Sequence, residues 1–299
     1  MREIKVLHLE PTDVCQAACP ACARETNLKF DKAQKNHLTV DQIKKHFSIE
    51  QIEQLDKMFM CGNYGDPAAG RHTLEIFRWF RSINPDIVLG MNTNGALQNT
   101  EWWQELATIL NQPQDYVVFS IDGLEDTNHI YRVGCNWSKL MFNAQSFIDA
   151  GGSAHWDMLV YGHNQHQVDS AEQLARNMGF TWFRAKVSKR PLVNKLVYPN
   201  RWQSVRISIG PIKCRALEER SIYIDATGTV NPCCWLGENK TKNTVNFDKI
   251  IESWTKNPHP VCRATCTVQN NITNFSGQWQ KEVEFFDKSR DKFTDGDAL

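Results

Sequence analysis

Residues 11–22 read PTDVCQAACPAC, and they follow directly on an apolar run, IKVLHL, at residues 4–9. The three cysteines of this segment, Cys15, Cys19 and Cys22, have the spacing Cys-x3-Cys-x2-Cys. Three thiolates so close together in the chain indicate a metal site, and three ligands are one short of a closed tetrahedron. The segment therefore predicts a metal centre with one open position, on the loop that leaves the first strand of the fold.

An iron–sulfur cluster is one way to use three cysteines. A cluster of four irons and four sulfides (4Fe–4S) held by them would have three irons capped by protein and one iron open to another ligand. A structural zinc knuckle or an unrelated ferredoxin-type cluster is the alternative interpretation of this run alone. Zinc motifs usually combine Cys-x2-Cys pairs into four ligands, and this run has three.

The composition is ordinary for a soluble globular protein, with 41% apolar and 23% charged residues among 299, enough for one large or two unequal domains. Basic and acidic residues each number 34, and this zero net charge argues against a nucleic-acid partner. The chain opens into a strand without a signal-peptide pattern, and no apolar run approaches membrane-spanning length. Ten cysteines in such a chain predict metal or redox chemistry in the cytoplasm, with no membrane partner.

Short apolar runs alternate with amphipathic stretches through the first two-thirds of the chain. Several runs are apolar at consecutive positions, which is typical of parallel strands buried on both faces. The predicted strands are 4–9, 57–61, 86–91, 115–121, 156–161 and 181–187, and the predicted helices are 40–56, 72–83, 100–111, 137–150 and 168–178. Six β/α units in a row predict an α/β fold, a partial (β/α)6 TIM-like barrel that stays open.

A polar or glycine-containing segment follows each predicted strand, where β/α barrels gather their functional residues. These segments are the cysteine loop, 62–67 (GNYGDP), 92–95 (NTNG), 120–123 (SIDG), 161–164 (YGHN) and 186–190 (KVSKR). Each alone could be an ordinary turn, because Asn, Asp and Gly suit turn conformations. Six of them on one rim of one sheet predict a ligand-binding surface.

The cysteine spacing and these loops resemble the radical S-adenosylmethionine (radical SAM) superfamily. In that family a 4Fe–4S cluster binds the amino and carboxylate groups of SAM at its open iron. An electron from the cluster cleaves SAM into methionine and a 5′-deoxyadenosyl radical. The resemblance implies that Cys15, Cys19 and Cys22 hold this cluster, and that an external reductant such as flavodoxin or ferredoxin supplies the electron.

The resemblance also implies residues that hold SAM. Segment 62–67 lies where the family carries a Gly-Gly-Glu segment that accepts hydrogen bonds from the SAM ammonium. The implied acceptors are backbone carbonyls near Tyr64 and Gly65, while Asp66 replaces the longer glutamate. Asn94 belongs to a segment similar to the family's Thr-Asn-Gly.

Further implied SAM contacts fall on the later loops. Ser120, in a segment similar to Ser-Ile-Asp-Gly, faces the methionine or ribose part of SAM, and Asn164 faces the ribose hydroxyls. Arg132 is placed like an arginine that pairs with the SAM carboxylate, and a surface salt bridge is the alternative. Phe183 or one of its neighbours is a candidate contact of adenine. The residue before the third cysteine is often aromatic in the family, but here it is Ala21, so no stacking is expected from that position.

A second set of cysteines lies in the last third of the chain: Cys214, Cys233, Cys234, Cys262 and Cys266. A β-hairpin is predicted from residues 221–225 and 229–231, and a helix from about Asp248. This arrangement resembles the C-terminal SPASM or shorter twitch extension, a small α+β unit that holds auxiliary iron–sulfur clusters. A full SPASM unit carries seven cysteines and two clusters, so the five present here imply one auxiliary 4Fe–4S cluster.

The implied ligands of this auxiliary cluster are Cys214, Cys233, Cys262 and Cys266. Cys234 is expected to be a packing residue, since adjacent residues rarely both reach one metal. A zinc ribbon is the alternative for this tail alone. Cys61 and Cys135 lie outside both patterns, and we interpret them as structural. The expected domains are a radical SAM partial barrel over 1–205 and the auxiliary-cluster unit over 206–299.

The expected function is that of a radical SAM enzyme that abstracts a hydrogen atom from its substrate. A peptide or protein side chain is the expected substrate, because SPASM and twitch relatives mostly modify peptides. A small-molecule dehydrogenase or epimerase is the alternative within the family, and a non-catalytic metal-binding or electron-transfer protein is the alternative outside it. No general acid or base stands out, although Tyr64, Asp122, Lys186 and Arg190 fall on the predicted rim.

Overall fold

The protein is built on a single sheet, as seen in a computed structural model that describes residues 3–187, 196–197, 199, 211–237, 252 and 256–266. The strands are β1 (Val6–Leu9), β2 (Lys57–Met60), β3 (Val88–Thr93), β4 (Tyr116–Ser120), β5 (Ala154–Val160), β6 (Trp182–Val187), β7 (Ser221–Ile224) and β8 (Val230–Asn231). Strands β1 to β6 lie side by side in chain order and run parallel. This arrangement confirms the predicted α/β fold with a partial barrel.

Helices lie between successive strands of the barrel, and three further described helices follow β6 in the chain. They are α1 (Ala23–Thr26), α2 (Val40–Lys44), α3 (Ile49–Glu53), α4 (Thr73–Ile83), α5 (Thr100–Ile109), α6 (Asn128–Tyr131), α7 (Trp137–Asp149), α8 (Val168–Met178), α9 (Arg215–Glu218), α10 (Cys234–Gly237) and α11 (Pro260–Cys266). Within the described part of the chain, each helix is too short or too polar to span a lipid bilayer.

The helix predicted over residues 40–56 is two helices, so that prediction was wrong in its extent. Thr39 forms the predicted capping box with Gln42 at the start of α2. Ser48 forms a second capping box with Gln51 and begins α3. A side chain that satisfies free backbone N–H groups favours a new helix start, so the chain turns between the two boxes.

The two faces of the sheet differ in character. Alternate strand residues pack on the helices in one core, with Phe119, for example, in contact with Trp103 of α5 and Phe147 of α7. The other residues of the same strands line the concave face, where His155 of β5 stacks on Tyr116 of β4. Because side chains alternate along a strand, parity decides which residues face the barrel interior.

The predicted hairpin forms from β7 and β8, and it joins the barrel sheet instead of standing apart. Strand β7 pairs in parallel with β1, with Val6 opposite Ser221 and Leu9 opposite Ile224. The predicted boundary between residues 205 and 206, the helix from about Asp248 and Arg190 lie outside the described residues. The described hairpin nonetheless extends the sheet at the edge that carries the cysteine loop.

Candidate metal and cofactor site

The cysteine loop leaves the carboxyl end of β1 and is tied to the rim by its backbone. Cys19 is buried, while Cys15 and Cys22 are half-buried. The Cys22 N–H donates to the Cys19 carbonyl over 3.0 Å, and the Ala18 N–H donates to the Val133 carbonyl over 2.8 Å. These bonds hold the three cysteines of the loop at the end of the barrel where function was predicted.

Hydrogen-bond donors and a cation surround the thiols. The Ala17 N–H donates to the Cys15 sulfur over 3.4 Å, and the Asn94 Nδ2 atom lies 3.7 Å from the same sulfur. The Arg132 Nη1 atom lies 3.9 Å from the Cys19 sulfur. Burial raises the pKa of the Cys15 and Cys19 thiols, and the Arg132 charge opposes this effect at Cys19. Donors placed around sulfur fit cysteines that carry charge as thiolate ligands of iron.

The three sulfurs of the cysteine loop are not arranged to bind a single metal ion. Across the described residues, no group of three or more His, Cys, Asp and Glu side chains is arranged to hold a metal ion. In a 4Fe–4S cluster each thiolate binds a different iron, so its ligands spread around the cluster. The fit of the cysteine loop to the cluster therefore rests on its three thiols and the donors around them.

The loop after β2 packs directly on the cysteine loop. A Cβ added at Gly65 would lie 1.9 Å from the Thr12 carbonyl oxygen, so only glycine allows this approach. The Asp66 N–H donates to the Val14 carbonyl over 2.9 Å. The Tyr64 hydroxyl accepts from Asn27 over 2.8 Å. The implied SAM-binding carbonyls near Tyr64 and Gly65 are thus held beside the cysteines.

The Asp66 carboxylate is occupied by protein donors. Its Oδ1 atom accepts from the Thr93 hydroxyl over 2.7 Å and from the Ala68 N–H over 2.9 Å. Its Oδ2 atom accepts from the Asn94 N–H and from Asn94 Nδ2, each over 2.7 Å. Burial raises the pKa of Asp66, and these bonds oppose the rise. The geometry therefore favours a positioning role for Asp66, and its contact with SAM stays a prediction.

Asn94 links Asp66 to the cysteine loop through hydrogen bonds. Its Oδ1 atom accepts from Gln16 Nε2 over 2.7 Å, while its Nδ2 atom faces the Cys15 sulfur. Gln16 was missed in the sequence, although its place between two of the three cysteines was a signal. Cys135, interpreted as structural, is buried with its sulfur 3.8 Å from Gln16 Nε2, so it lies beside the cysteine loop.

Arg132 lies just after α6 and points at the same region. Its Nε atom donates to the Asp122 Oδ2 atom over 2.6 Å, and Asp122 is fully buried. Burial lowers the pKa of the Arg132 guanidinium, but the charges of Asp122, Cys19 and neighbouring acidic groups together outweigh it, and the net pKa is raised. The ion pair of Arg132 with Asp122 is partly buried, so it differs from the surface salt bridge that was the alternative interpretation of Arg132. The contact of Arg132 with the SAM carboxylate stays a prediction.

Three other implied SAM contacts differ in how they are placed. Ser120 is half-buried at the end of β4, on the concave side. The Asn164 side chain is fully buried and bonded to the backbone of Asp122, Leu159 and Tyr161, so it holds the loop after β5. Phe183 packs on the helix side with its ring 5.9 Å from that of Trp156. The Phe183 side chain faces away from the barrel interior, so the predicted adenine contact of this segment falls to the neighbours of Phe183 and stays a prediction.

A charged cluster on the concave face joins β5 to β6. Asp157 accepts from Arg184 Nε over 2.8 Å and from Lys186 Nζ over 2.7 Å. Burial lowers the pKa of Lys186 to about 8, and the two cations hold the pKa of Asp157 well below its usual range. Lys186 was expected on the rim, whereas Asp157 and Arg184 were missed because only the strand register brings them together.

Cysteines of the second set come together near the hairpin. Cys214 interacts electrostatically with Cys262 and Cys266, and Cys233 interacts with Cys214 and Cys266. The Lys213 N–H donates to the Cys266 carbonyl over 2.8 Å. Burial raises the pKa of Cys214 to about 11 and that of Cys233 to about 12. Their role as ligands of an auxiliary cluster stays a prediction.

Comparisons with known proteins agree with this arrangement. The Radical SAM superfamily matches residues 9–175, from the end of β1 into α8. The structure of Streptococcus suis SuiB bound to precursor peptide SuiA is similar, with a TM-score of 0.59 at 13% identity, over 91% of this chain and 69% of SuiB. Among curated proteins, no match to this chain was found.

A second solved structure has the same fold. The structure of anSMEcpe with bound AdoMet has a TM-score of 0.57 at 16% identity, over 77% of this chain and 71% of that protein. The family match covers more than half of this chain and includes Cys15, Cys19 and Cys22 as well as the loops after β2 to β5. This chain therefore belongs to the radical SAM superfamily, whose members are enzymes that use SAM and a 4Fe–4S cluster.

Proposed function

We propose that this enzyme takes a hydrogen atom from a peptide or protein side chain and carries one auxiliary 4Fe–4S cluster. The observation that carries the proposal is the placement of the cysteine loop, Asn94 and Arg132 on one rim, above a concave face with buried charges. When bound, the SAM-binding cluster supplies the electron that cleaves SAM, and the resulting 5′-deoxyadenosyl radical removes the hydrogen atom.

The residues on the rim would orient SAM for this chemistry. Backbone carbonyls near Tyr64 and Gly65 would accept hydrogen bonds from the SAM ammonium. The Arg132 guanidinium keeps its Nη1 atom near Cys19 while Nε binds Asp122, so it can meet the SAM carboxylate beside the cluster. Ser120 lies at the end of β4, toward the barrel interior, where the ribose side of SAM would face the substrate.

The substrate would enter the concave face. Asp157, Arg184 and Lys186 place hydrogen-bonding and charged groups there, which suits a polar substrate such as a peptide. SuiB, whose structure has the same fold, is bound to a precursor peptide in that structure. The structure of anSMEcpe with bound AdoMet and Cp18Cys peptide is a second peptide complex, with a TM-score of 0.50 at 17% identity over 69% of this chain. Both neighbours support a peptide as the substrate here.

The auxiliary cluster would be held by Cys214, Cys233, Cys262 and Cys266. Support comes from the electrostatic interactions among these thiols and from the backbone bond that ties Lys213 to Cys266. Cys234 is outside this proposed ligand set, and its carbonyl accepts from Asn63 Nδ2 over 2.9 Å. With four thiolate ligands, every iron of the auxiliary cluster would be bound by the protein. This favours a role for the cluster in accepting the electron left after substrate oxidation.

The first experiment counts irons and follows SAM cleavage in anaerobically purified protein. We expect about eight irons per chain, and 5′-deoxyadenosine after reduction in the presence of SAM. Changing Cys15, Cys19 and Cys22 to alanine should abolish 5′-deoxyadenosine, while Cys214→Ser with Cys233→Ser should remove about four irons and leave the SAM-binding cluster. Cys61→Ser is the matched control and should keep all irons.

The second experiment identifies the substrate class. The reduced enzyme is incubated with SAM and either a deuterated peptide digest or a deuterated small-molecule extract, and 5′-deoxyadenosine is analysed by mass spectrometry. Deuterium in 5′-deoxyadenosine only with the peptide digest supports the proposal. Deuterium only with the small-molecule extract contradicts it and favours a dehydrogenase or epimerase.

A further inference from the structure

Glu10 is a buried carboxylate that follows β1 directly and joins three parts of the fold. Its side chain is almost fully shielded from solvent, with a residue exposure of 1%. Its Oε1 atom accepts from the Tyr64 N–H over 2.6 Å and from the Gly65 N–H over 3.1 Å. Its Oε2 atom accepts from the hydroxyl of Tyr223 on β7. Glu10 therefore connects the end of β1, the loop after β2 and the C-terminal hairpin.

These bonds decide which way the loop after β2 presents its carbonyls. In a planar trans peptide the N–H and the preceding carbonyl point in opposite directions. Two N–H groups held toward Glu10 thus turn the carbonyls of Asn63 and Tyr64 to the opposite side. The structure agrees, because the Asn63 carbonyl oxygen lies 3.8 Å from the Cys22 sulfur. The Tyr64 carbonyl accepts from Arg24 Nη1 over 3.3 Å.

The C-terminal hairpin and helix α10, which follows it, bind Glu10 and the loop after β2. Tyr223 is 1% exposed, lies on the strand that pairs with β1 and donates its hydroxyl to Glu10. Asn63 Nδ2 donates to the Cys234 carbonyl over 2.9 Å, and it lies 3.4 Å from the Tyr223 hydroxyl. The segment that carries the second cysteine set is therefore bonded to the loop beside the first.

We propose that Glu10 is a positioning residue for SAM, which turns the carbonyls of residues 63 and 64 toward the SAM ammonium, and that Tyr223 holds Glu10 in place. The inference rests on the proposed SAM site at the cysteine loop. It makes the C-terminal hairpin a part of that site through direct hydrogen bonds, in addition to any role of an auxiliary cluster. Glu10 acts here through the backbone of the loop and does not itself touch SAM.

The test measures the affinity for SAM of the iron-loaded enzyme by equilibrium dialysis, together with the change that SAM causes in the electron paramagnetic resonance spectrum of the reduced cluster. Glu10→Ala removes both acceptors and should weaken SAM binding about tenfold or more. Glu10→Gln keeps a carbonyl acceptor for the two N–H groups and should stay within about threefold of the unchanged protein. Tyr223→Phe should fall between them, and Thr227→Ala, an exposed change on the same hairpin, should have no effect.

A SAM analogue with a hydroxyl in place of the α-amino group separates positioning from general damage. If Glu10 acts through carbonyls that meet the ammonium, Glu10→Ala should weaken the binding of SAM more than that of the analogue. Equal losses for both ligands, or unchanged SAM affinity in Glu10→Ala with full iron content, would overturn the inference. If Glu10→Ala fails to load iron, the affinities for SAM and for the analogue are compared in Tyr223→Phe and Glu10→Gln instead. An unchanged protein that loads iron but does not bind SAM would instead refute the proposed SAM site.

Discussion

Arg132 donates its Nε–H to the Asp122 carboxylate over 2.6 Å, and this single bond aims the guanidinium at the cysteine loop. Asp122 is fixed from its other side, because its Oδ1 atom accepts from the Leu159 N–H over 2.6 Å. The Arg132 Nη1 atom then lies 3.9 Å from the Cys19 sulfur. A carboxylate at the end of β4 thus orients the cation that borders the cluster.

Arg132→Met should therefore impair both folding and SAM binding. The variant leaves the buried Asp122 without its cation, which costs about 3 kcal/mol of unfolding free energy when a buried pair is broken. It also removes the proposed partner of the SAM carboxylate, so the KM for SAM should rise. Denaturant unfolding and the SAM dependence of 5′-deoxyadenosine formation measure the two effects.

Arg78→Met is the control for Arg132→Met. Arg78 pairs with Glu105 between α4 and α5, and both side chains are well exposed, at 51% and 43%. Exposed ion pairs of this kind contribute about 1 kcal/mol or less. Equal losses of stability in the two variants would show that the Arg132–Asp122 pair has no special role.

The sequence predicts features that are local in the chain and misses those that depend on register. The cysteine spacing, the parallel strands and the loop segments each occupy a few consecutive residues, so their patterns are readable. Glu10 and Tyr223 are 213 positions apart, and only the pairing of β7 with β1 brings them together. Residues 181–187 predict a strand but not its parity, which is why the sequence could not decide between Phe183 and its neighbours as the residue that faces the interior.

Gly65→Ala should separate the loop after β2 from the cysteine loop. The new Cβ would lie 1.9 Å from the Thr12 carbonyl oxygen, which is backbone and cannot rotate away. We expect a loss of about 3 kcal/mol in unfolding free energy, the upper range for overpacking, and a reduced iron content. Iron analysis and denaturant unfolding test this expectation.

Gly151→Ala provides the matched control for a lost glycine. Gly151 has φ at 90°, but nothing lies within 4 Å of an added Cβ, so only backbone strain is introduced. A loss of about 1 kcal/mol with unchanged iron content is expected. An iron content as low as that of Gly65→Ala would mean that the loss is not specific to the contact between the two loops.

Lys186→Met should uncouple SAM cleavage from substrate turnover. Lys186 lies on the concave face, where its Nζ atom is bonded to Asp157 over 2.7 Å. We expect 5′-deoxyadenosine formation without substrate to be retained, while deuterium transfer from the peptide digest falls at least about tenfold. Lys139→Met, a change on an exposed part of α7, should leave both unaffected. A parallel loss of both reactions in Lys186→Met would contradict a substrate-facing role.

Two buried side chains, His8 in β1 and Glu10 just after it, should give opposite dependences of stability on pH. Burial lowers the pKa of His8 to about 4, so between its ordinary value of 6.5 and 4 only the unfolded chain takes up this proton. Stability from His8 is therefore lost as the pH falls. Burial raises the pKa of Glu10 from 4.5 to about 7, so over this range only the unfolded chain releases the proton. Stability from Glu10 is therefore lost as the pH rises.

The two contributions have opposite signs, and single substitutions should separate them. Other buried groups also titrate, among them His155, whose pKa burial lowers to about 3, so each variant is compared with the unchanged protein. Relative to that protein, His8→Gln should lose stability as the pH rises from about 5 to 6.5, because the His8 contribution is removed. Over the same range Glu10→Gln should gain stability, because the Glu10 contribution is removed. Each difference should approach about 1.4 kcal/mol per pH unit, the value for one proton. Thermal unfolding of the full chain under anaerobic conditions measures both differences, and profiles that stay parallel to that of the unchanged protein would show that neither side chain has the shifted pKa on which the prediction depends.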